Sequence, residues 1–365
     1  MSISENQNQL YSIIAGSGSY LPTRVVRNED FLDHTFYDES CQKLERPTEE
    51  IIRKFSQITG IFERRYVTSN LVASDIAFFA AEAAIKDAGI DPESLDLIIV
   101  AHNFGDIRED NPRSELVPAL ASRVKHRLHI TNSKTVCYDL PFGCPGWLQG
   151  VIQADIYIRS GQAKKVLVIG AETLSRIADP HDRDSMIYAD GAGAIVLEAR
   201  QSATPIGILA HSSRTYADQV YVLRMSTSNN PEYSSPDRLF LKMQGRALYE
   251  QALKVVPIVI KESMDKAALS IEDMGLLLIH QANKKMDGAI LKRLYEAFDI
   301  SDVPENIMPL TVSWLGNSSV ATLPTLYNLI SKKEIPGYRF NAGDYLVFAS
   351  VGAGVNVNSV IYRIP

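Results

Sequence analysis

The amino-acid sequence predicts an α/β fold made of two similar halves. Two observations support this prediction: short apolar runs alternate with helical patterns, and several of those runs recur in the second part of the chain. Strands that alternate with helices form mostly parallel sheets that helices cover. We therefore expect residues 1–200 to form an N-terminal half and residues 201–365 a C-terminal half, joined near the polar stretch at 199–207.

Two pairs of apolar segments recur at the same offset. AGIDPESLDLIIVAH (88–102) matches AALSIEDMGLLLIHQ (267–281), and KVLVIGAET (165–173) matches DYLVFASVG (344–352), in both cases 179 residues further on. A third pair, GAGAIVLEA and GAGVNVNSV, is offset by 161 residues. Continuous apolar runs of this length are typical of strands buried on both faces. The repeat therefore predicts matching sheets in the two halves.

The segments between these strands predict helices and two less regular regions. Helical patterns occupy residues 74–89 and 245–268. Residues 28–60 form a charged excursion that we expect to be rich in helix, and residues 213–239 a polar loop region rich in Ser, Asn, Asp and Pro.

The composition limits the classes of function. Of 365 residues, 45% are hydrophobic and 22% charged, as in ordinary globular proteins, and the net charge of −6 argues against a nucleic-acid binder. We expect no membrane span, since no run of about 18 apolar residues occurs, and no signal peptide at the polar MSISENQNQL. Three cysteines, Cys41, Cys137 and Cys144, are too few and too irregularly spaced for a disulfide framework or a zinc site. A cytoplasmic protein without a metal is the expectation.

The stretch FGCPGW (142–147) presents Cys144 between two glycines, directly before a proline. Pro145 suits the first position of a helix, which would make Cys144 the N-cap. A sulfur at the positive end of the helix dipole has a lowered pKa and is more nucleophilic. A buried structural cysteine at a turn fits the local pattern equally well, so the residues alone leave both interpretations open.

His280 and Asn317 are candidate partners of this cysteine. His280 ends the apolar run GLLLI, and the carboxyl end of such a strand is where α/β sheets bind ligands. Asn317 lies in WLGNSSVATLP, where its amide could donate to a developing oxyanion, as an imidazole can. A satisfied core histidine and an ordinary helix-start asparagine are the structural alternatives.

In combination these motifs resemble the β-ketoacyl-acyl-carrier-protein synthase III family. GCPGW, HQAN, GNSS and SVGAGVN have the order and spacing of that family, as do GSGSYLP near the start and SRIADPHDRDSMIYADGAGAIVLE at 175–198. The resemblance spans almost the whole chain. It implies a thiolase-like, five-layered αβαβα fold from two duplicated halves, and a homodimer.

The resemblance also implies a reaction and a site. Cys144 would take an acyl group from a coenzyme A or carrier-protein thioester. His280 and Asn317 would bind the thioester carbonyl of a malonyl-type donor, and the amides of Cys144 and Gly354 would form an oxyanion hole. Decarboxylative Claisen condensation would then give a 3-oxoacyl-acyl-carrier protein. No cofactor would be bound permanently, because coenzyme A and phosphopantetheine thioesters are substrates.

For the acyl carrier protein and its arm, the resemblance implies four binding residues. Lys285 would recognise the phosphopantetheine phosphate or the acidic carrier, Gly245 and Asn283 would lie along the arm, and Arg176 near the coenzyme A adenine. An ordinary solvent-exposed helix face would also explain the four cations Lys284, Lys285, Lys292 and Arg293.

Departures from the family pattern leave other functions open. Lys54 and Ile58 stand where the family carries a tryptophan and an arginine, and the 28–60 excursion is longer than in housekeeping members. A specialised ketosynthase that condenses β-ketoacyl thioesters to dialkylcyclohexanedione or dialkylresorcinol precursors is one alternative. Acyl transfer to an oxygen or nitrogen acceptor, and an inactive partner subunit, are the others.

Overall fold

A computed structural model describes residues 9–365. Most of the polar segment MSISENQNQL therefore lies outside the described residues. Within residues 9–365, no helix is both long and apolar enough to cross a membrane. Eight helices are described, and their bounds are as follows: α1 Thr48–Thr59, α2 Ala73–Ala88, α3 Leu120–Arg127, α4 Gly146–Arg159, α5 Gly245–Lys266, α6 Lys284–Glu296, α7 Val312–Leu315 and α8 Thr322–Ser331.

The first sheet contains five strands in the order β1-β7-β6-β4-β5. Its strands are β1 Gln9–Tyr20, β4 Leu97–Ala101, β5 Val136–Leu140, β6 Lys165–Thr173 and β7 Asp190–Ser202. β4 runs parallel to β5 and β6, whereas β7 is antiparallel to β6 and β1. β5 is an edge strand of this sheet.

The second sheet contains four strands in the order β11-β12-β13-β8. Its strands are β8 Gly207–Thr215, β11 Met274–Ile279, β12 Tyr345–Gly352 and β13 Asn356–Arg363. The pairs that the sequence repeat predicts, β4 with β11, β6 with β12 and β7 with β13, occupy equivalent places in the two sheets. The predicted duplication is confirmed by this shared order, to which the first sheet adds β5. The division at residues 200 and 201 stays a prediction, and β7 itself continues to Ser202.

The two sheets and the helices form five layers. α4 and α8 lie between the sheets, where they pack against strands of both and form one apolar core. α2 and α3 cover the outer face of the first sheet around a second core. α5 and α6 cover the outer face of the second sheet around a third. The expected five-layered αβαβα arrangement is therefore the one observed.

The two irregular regions only partly match expectation. In the 28–60 excursion, helix is confined to α1 and a short 3-10 turn, and a small apolar cluster fixes the region to the first half. Residues 213–239 are less loop-like than predicted, because β9 (Leu223–Ser226) pairs with β10 (Phe240–Met243). A second short pair joins β2 (Arg24–Arg27) to β3 (Glu63–Tyr66).

Candidate active site

Cys144 lies in a tight turn between β5 and α4. The carbonyl of Gly143 accepts a hydrogen bond from the amide of Gly146, so the turn encloses Cys144 and Pro145. Gly143 has φ +66°, which a side chain would disfavour, and a Cβ there would also approach the amide nitrogen of Ala353 to 2.8 Å. The glycine before the cysteine is therefore required by both the turn and a neighbouring segment.

The predicted helix start is wrong by one residue, and the predicted pKa shift of Cys144 is wrong in direction. α4 begins at Gly146 with Pro145 as N-cap, because the carbonyl of Pro145 is the first to accept a helical hydrogen bond, from Gln149. Burial raises the pKa of the Cys144 thiol to about 11, although a hydrogen bond from Ser319 opposes the rise. Desolvation of the thiolate outweighs the favourable interactions, so the resting group is a thiol.

His280 directly follows β11 and is 3% exposed. Its backbone amide donates to the carbonyl of Ala349 on β12, which continues the parallel pairing of the two strands beyond the end of β11. Burial lowers the pKa of His280 to about 4, and the nearby backbone of Ser319 only partly offsets that effect. The imidazole is therefore neutral at physiological pH and can either accept or donate a proton.

Asn317 is fixed by its backbone between α7 and α8. Its amide donates to the carbonyl of Ile187, and its carbonyl accepts from the amide of Ala189. Gln281, which directly follows His280, holds the start of α7. Its side-chain oxygen accepts hydrogen bonds from the amides of Thr311 and Val312. The segments that carry His280 and Asn317 are thus joined by buried hydrogen bonds.

Ser319 forms hydrogen bonds with two of the three predicted catalytic residues. Its hydroxyl donates to the Cys144 sulfur at 3.4 Å, and its amide donates to the Oδ1 atom of Asn317 at 2.8 Å. Its backbone also slightly raises the pKa of His280, against the larger effect of burial. Sequence reasoning included Ser319 in the GNSS motif but gave it no role, because a serine that follows an asparagine carries no signal of its own.

The predicted nucleophile, histidine and asparagine line one cavity of about 210 Å³. Most of the remaining wall is apolar, with Phe104, Leu174, Leu223, Leu241, Met243, Leu248 and Met286 among its residues. Arg224 of β9 and Tyr188 contribute polar groups to this otherwise apolar wall. The structure therefore brings together Cys144, His280 and Asn317, which are far apart in the sequence, in a recess suited to an apolar chain.

The backbone at the end of β12 forms another part of the wall. Gly352 and Ala353 line the cavity, whereas the predicted oxyanion-hole residue Gly354 does not. A Cβ on Gly352 would come within 2.5 Å of the Cys144 amide nitrogen. The assignment of Gly354 to the oxyanion hole stays a prediction, since a Gly-Ala-Gly sequence does not indicate which amide faces the sulfur. The amide of Ala353 is a further candidate donor at this wall, because Ala353 lines the cavity.

Glu172, at the end of β6, was not predicted. It is 1% exposed and accepts from the side-chain nitrogen of Asn103 at 2.8 Å, and the oxygen of that amide accepts from Gly143 at 2.8 Å. Burial raises the pKa of Glu172 to about 7. Its charge in turn raises the pKa of Cys144. A carboxylate that ends a buried strand at this edge of the sheet was the signal that could have identified it.

Comparison with known proteins identifies the family. The model of 3-oxoacyl-[acyl-carrier-protein] synthase III matches residues 138–217, and the model of its C-terminal part matches residues 264–364. A β-ketoacyl-[acyl-carrier-protein] synthase III of Cereibacter sphaeroides is 33% identical over 359 residues, which is 96% of this chain and 98% of the relative. This chain belongs to the β-ketoacyl-acyl-carrier-protein synthase III family.

Solved structures of synthase III proteins show the same architecture. The enzyme of Pseudomonas aeruginosa PAO1 is 26% identical with a TM-score of 0.79, over 97% of this chain and 98% of that one. The enzyme of Thermus thermophilus is 29% identical with a TM-score of 0.78, over 97% and 99%. The predicted family, the thiolase-like fold and a condensing acyltransferase are thereby confirmed.

The residues predicted for the carrier arm of this synthase III lie in different surroundings. Asn283 caps α6, since its side-chain oxygen accepts from the amide of Met286, and Lys285 is exposed on the first turn of that helix. Gly245 begins α5, near the carboxylate of Asp184. Arg176 pairs with Glu109 at 3.1 Å and donates to the carbonyl of Thr68, so its guanidinium is already engaged. None of the four lines the cavity around Cys144.

Among residues 9–365, no group of three or more His, Cys, Asp or Glu side chains could hold a metal ion. Cys41, Cys137 and Cys144 are all free thiols.

Proposed function

We propose that Cys144 carries an acyl group, which this synthase condenses with a malonyl-type donor to give a 3-oxoacyl-acyl-carrier protein and carbon dioxide. The observation that supports this proposal is the convergence of Cys144, His280 and Asn317 on one cavity in a chain of the synthase III family. A nucleophile beside an imidazole and an amide donor has the groups that both half-reactions require.

In the first half-reaction, the Cys144 sulfur attacks the carbonyl carbon of an acyl thioester. Because the pKa of the thiol is about 11, the sulfur must lose its proton during the attack, and neutral His280 accepts it. The carbon–sulfur bond to the carrier then breaks, and the departing thiolate takes the proton from His280. Between the attack and the breaking of this bond, the carbonyl oxygen is an oxyanion, for which the amides of Cys144 and Ala353 are the proposed donors.

In the second half-reaction, the donor loses its carboxylate. The bond between that carboxylate and the α-carbon breaks, and its electron pair forms an enolate whose oxygen receives hydrogen bonds from His280 and Asn317. The α-carbon then attacks the acyl-Cys144 carbonyl, and the carbon–sulfur bond breaks to release the Cys144 thiolate. Carbon dioxide and a 3-oxoacyl thioester leave the site, and the thiolate regains a proton.

The acyl carrier protein is the proposed partner, and phosphopantetheine or coenzyme A thioesters are the proposed substrates. Lys284 and Lys285 are exposed at the start of α6, and Ala282 of the preceding loop lines the cavity. Two cations at the mouth of an active site attract a phosphate or an acidic partner. No permanently bound cofactor enters either half-reaction.

A homodimer is the proposed assembly, with β5 at its interface. β5 is an edge strand, and an unpaired edge offers hydrogen-bonding groups to a second copy of the chain. Val136 on this strand is 55% exposed, and Leu116 and Val117 of a neighbouring loop are 52% and 90% exposed. In sedimentation experiments we expect a dimer, and Val136→Lys should shift it towards monomer; a wild-type monomer at micromolar concentration would contradict this assignment.

The cellular compartment must suit a cysteine that acts as the nucleophile. Cys144 must remain reduced to take an acyl group, so we propose that the enzyme acts in the cytoplasm.

The decisive experiment follows both half-reactions separately. Intact-mass spectrometry after incubation with a panel of acyl-coenzyme A and acyl-carrier thioesters should detect one acyl group on Cys144. Addition of malonyl-acyl carrier protein should then release it as a 3-oxoacyl product. Transfer of the acyl group to an alcohol or amine instead would support the acyltransferase alternative, and the absence of any acyl-enzyme would support an inactive partner subunit.

A further inference from the structure

The backbone amide of Cys144 is available to a substrate. No backbone carbonyl among residues 9–365 accepts a hydrogen bond from it, and Cys144 lines the cavity. The direction of this N–H bond is set by the peptide unit that joins Gly143 to Cys144. A residue that fixes Gly143 therefore also fixes the direction in which the amide donates.

Gly143 is held by a hydrogen bond on each side. Its carbonyl accepts from the amide of Gly146 at 2.9 Å, and its own amide donates to the Oδ1 atom of Asn103 at 2.8 Å. Glycine has no side chain to restrict its dihedral angles, so its conformation depends on such external contacts. The bond to Asn103 ties the cysteine turn to the segment that follows β4.

Glu172 determines which way the Asn103 carboxamide points. Its carboxyl accepts from the Asn103 side-chain nitrogen at 2.8 Å, which leaves the Oδ1 atom for Gly143. A flipped carboxamide would place its NH2 group against the Gly143 amide, donor against donor. A carboxyl can accept a hydrogen bond whether or not it is protonated, so this orientation does not depend on the charge of Glu172.

The segment that carries Asn103 is anchored by the preceding residue. His102 is 2% exposed, and its Nδ1 atom accepts from the amide of Gly105 at 3.0 Å. Its Nε2 atom lies 2.9 Å from a carboxylate oxygen of Asp139 on β5. Asn103 therefore projects from a fixed backbone between the ends of two neighbouring strands.

We propose that Asn103, oriented by Glu172, is a positioning residue for the oxyanion hole: through Gly143 it holds the Cys144 amide in the direction that acyl transfer requires. This inference rests on the proposed function, since the oxyanion arises from the acyl thioester that Cys144 attacks. The sulfur receives its own hydrogen bond from Ser319, so the nucleophile and the oxyanion donor have separate supports. A displacement of about 1 Å at a reacting group can cost about a hundredfold in rate.

The test compares two reactions of the same sulfur. Acylation by acetyl- or octanoyl-coenzyme A passes through an oxyanion, whereas iodoacetamide is attacked at a saturated carbon and releases iodide without one. In Asn103→Ala we expect single-turnover acylation to fall by about ten- to a hundredfold, while alkylation is no slower than in wild type.

Asn341→Ala is the matched control, because Asn341 is exposed and lies before β12, at the end of the strand opposite Gly352. Both of its rates should equal those of wild type. Unchanged acylation in Asn103→Ala, or an equal fall in acylation and alkylation, would overturn the proposal. If neither thioester acylates wild-type Cys144, the proposed function itself fails.

A second pair of variants tests the role of Glu172 without removing the hydrogen bonds. Asn103→Asp places two carboxyl groups side by side, so acylation should fall. Adding Glu172→Gln restores a donor and an acceptor with their roles exchanged, because the glutamine NH2 donates to Asp and the other Asp oxygen accepts from Gly143. The double variant should acylate at least about tenfold faster than Asn103→Asp alone, in line with one hydrogen bond to a charged group. Equal rates in the single and double variants, with circular dichroism showing both folded, would refute the positioning role.

Discussion

The Oδ1 atom of Asn317 accepts a hydrogen bond from the backbone amide of Ser319 at 2.8 Å. The two residues are separated by one position, so this bond fixes the carboxamide plane locally. With its oxygen engaged, the carboxamide keeps its NH2 group as a donor, and Asn317 lines the cavity. Asn317 is therefore set to donate rather than to accept, as an enolate oxygen requires.

Asn317→Ala should separate the two half-reactions. Cys144 keeps its turn and its Ser319 neighbour, so acyl-enzyme should still form at a near-normal rate. Decarboxylation of the malonyl-type donor should fall by about 10²–10³, the cost of one oxyanion donor. Rapid-quench mass spectrometry measures the first step and carbon dioxide release the second. Condensation at the wild-type rate combined with failure to acylate would assign Asn317 to the first half-reaction instead.

The decarboxylation rate should show no inflection from His280 between pH 5 and pH 8. Burial lowers the pKa of this imidazole to about 4, so it remains neutral throughout that range. An ordinary histidine would lose its neutral form near pH 6.5. Carbon dioxide release from the malonyl donor, measured across the range with circular dichroism as a check on folding, should therefore stay level. A loss of activity with a midpoint near 6.5 would show that His280 is more hydrated than its burial implies.

Cys144→Ser should remain folded and lose acyl loading. A serine hydroxyl is a far weaker nucleophile than a thiolate at neutral pH, and here the neighbouring imidazole is only weakly basic. Cys41→Ser and Cys137→Ser serve as matched controls and should load normally. Normal loading of Cys144→Ser would transfer the role of nucleophile to one of the other two cysteines.

Glu172→Gln should make Cys144 more reactive at pH 8 but not at pH 6. The Glu172 carboxylate raises the pKa of the thiol, and its own pKa is about 7, so its charge is present at pH 8 and largely absent at pH 6. We expect iodoacetamide to alkylate the variant about two to five times faster than wild type at pH 8. Equal rates at pH 8 would mean that the carboxylate does not act on the sulfur.

The buried strands were predictable because their sequence pattern depends on local burial alone. The offset between β4 and β11 and between β6 and β12 could be read directly, and the shared strand order follows from it. The polar region before α5 was harder to predict. β9 within it pairs with β10 and carries Leu223 and Arg224 to the cavity wall, a result of tertiary contact.

At the site, sequence patterns found the reactive groups but not their environment. Cys144, His280 and Asn317 stood out by residue type and by their neighbours in the chain. The thiol pKa was predicted in the wrong direction because a helix start is visible in sequence, whereas desolvation depends on packing from both halves. Ser319 and Glu172 were missed for the same reason, since each acquires its environment from residues far away in the chain.

The hydrogen bond between Ser319 and Cys144 joins residues 175 positions apart. While the chain is being synthesised, the cysteine emerges long before His280 and Asn317, so a nascent first half would carry the thiol without the imidazole or the amide that make it useful. The proposed nucleophile would thus gain its proposed partners only when the second half is complete and packed against the first. We therefore expect a partly made chain to be unable to transfer an acyl group.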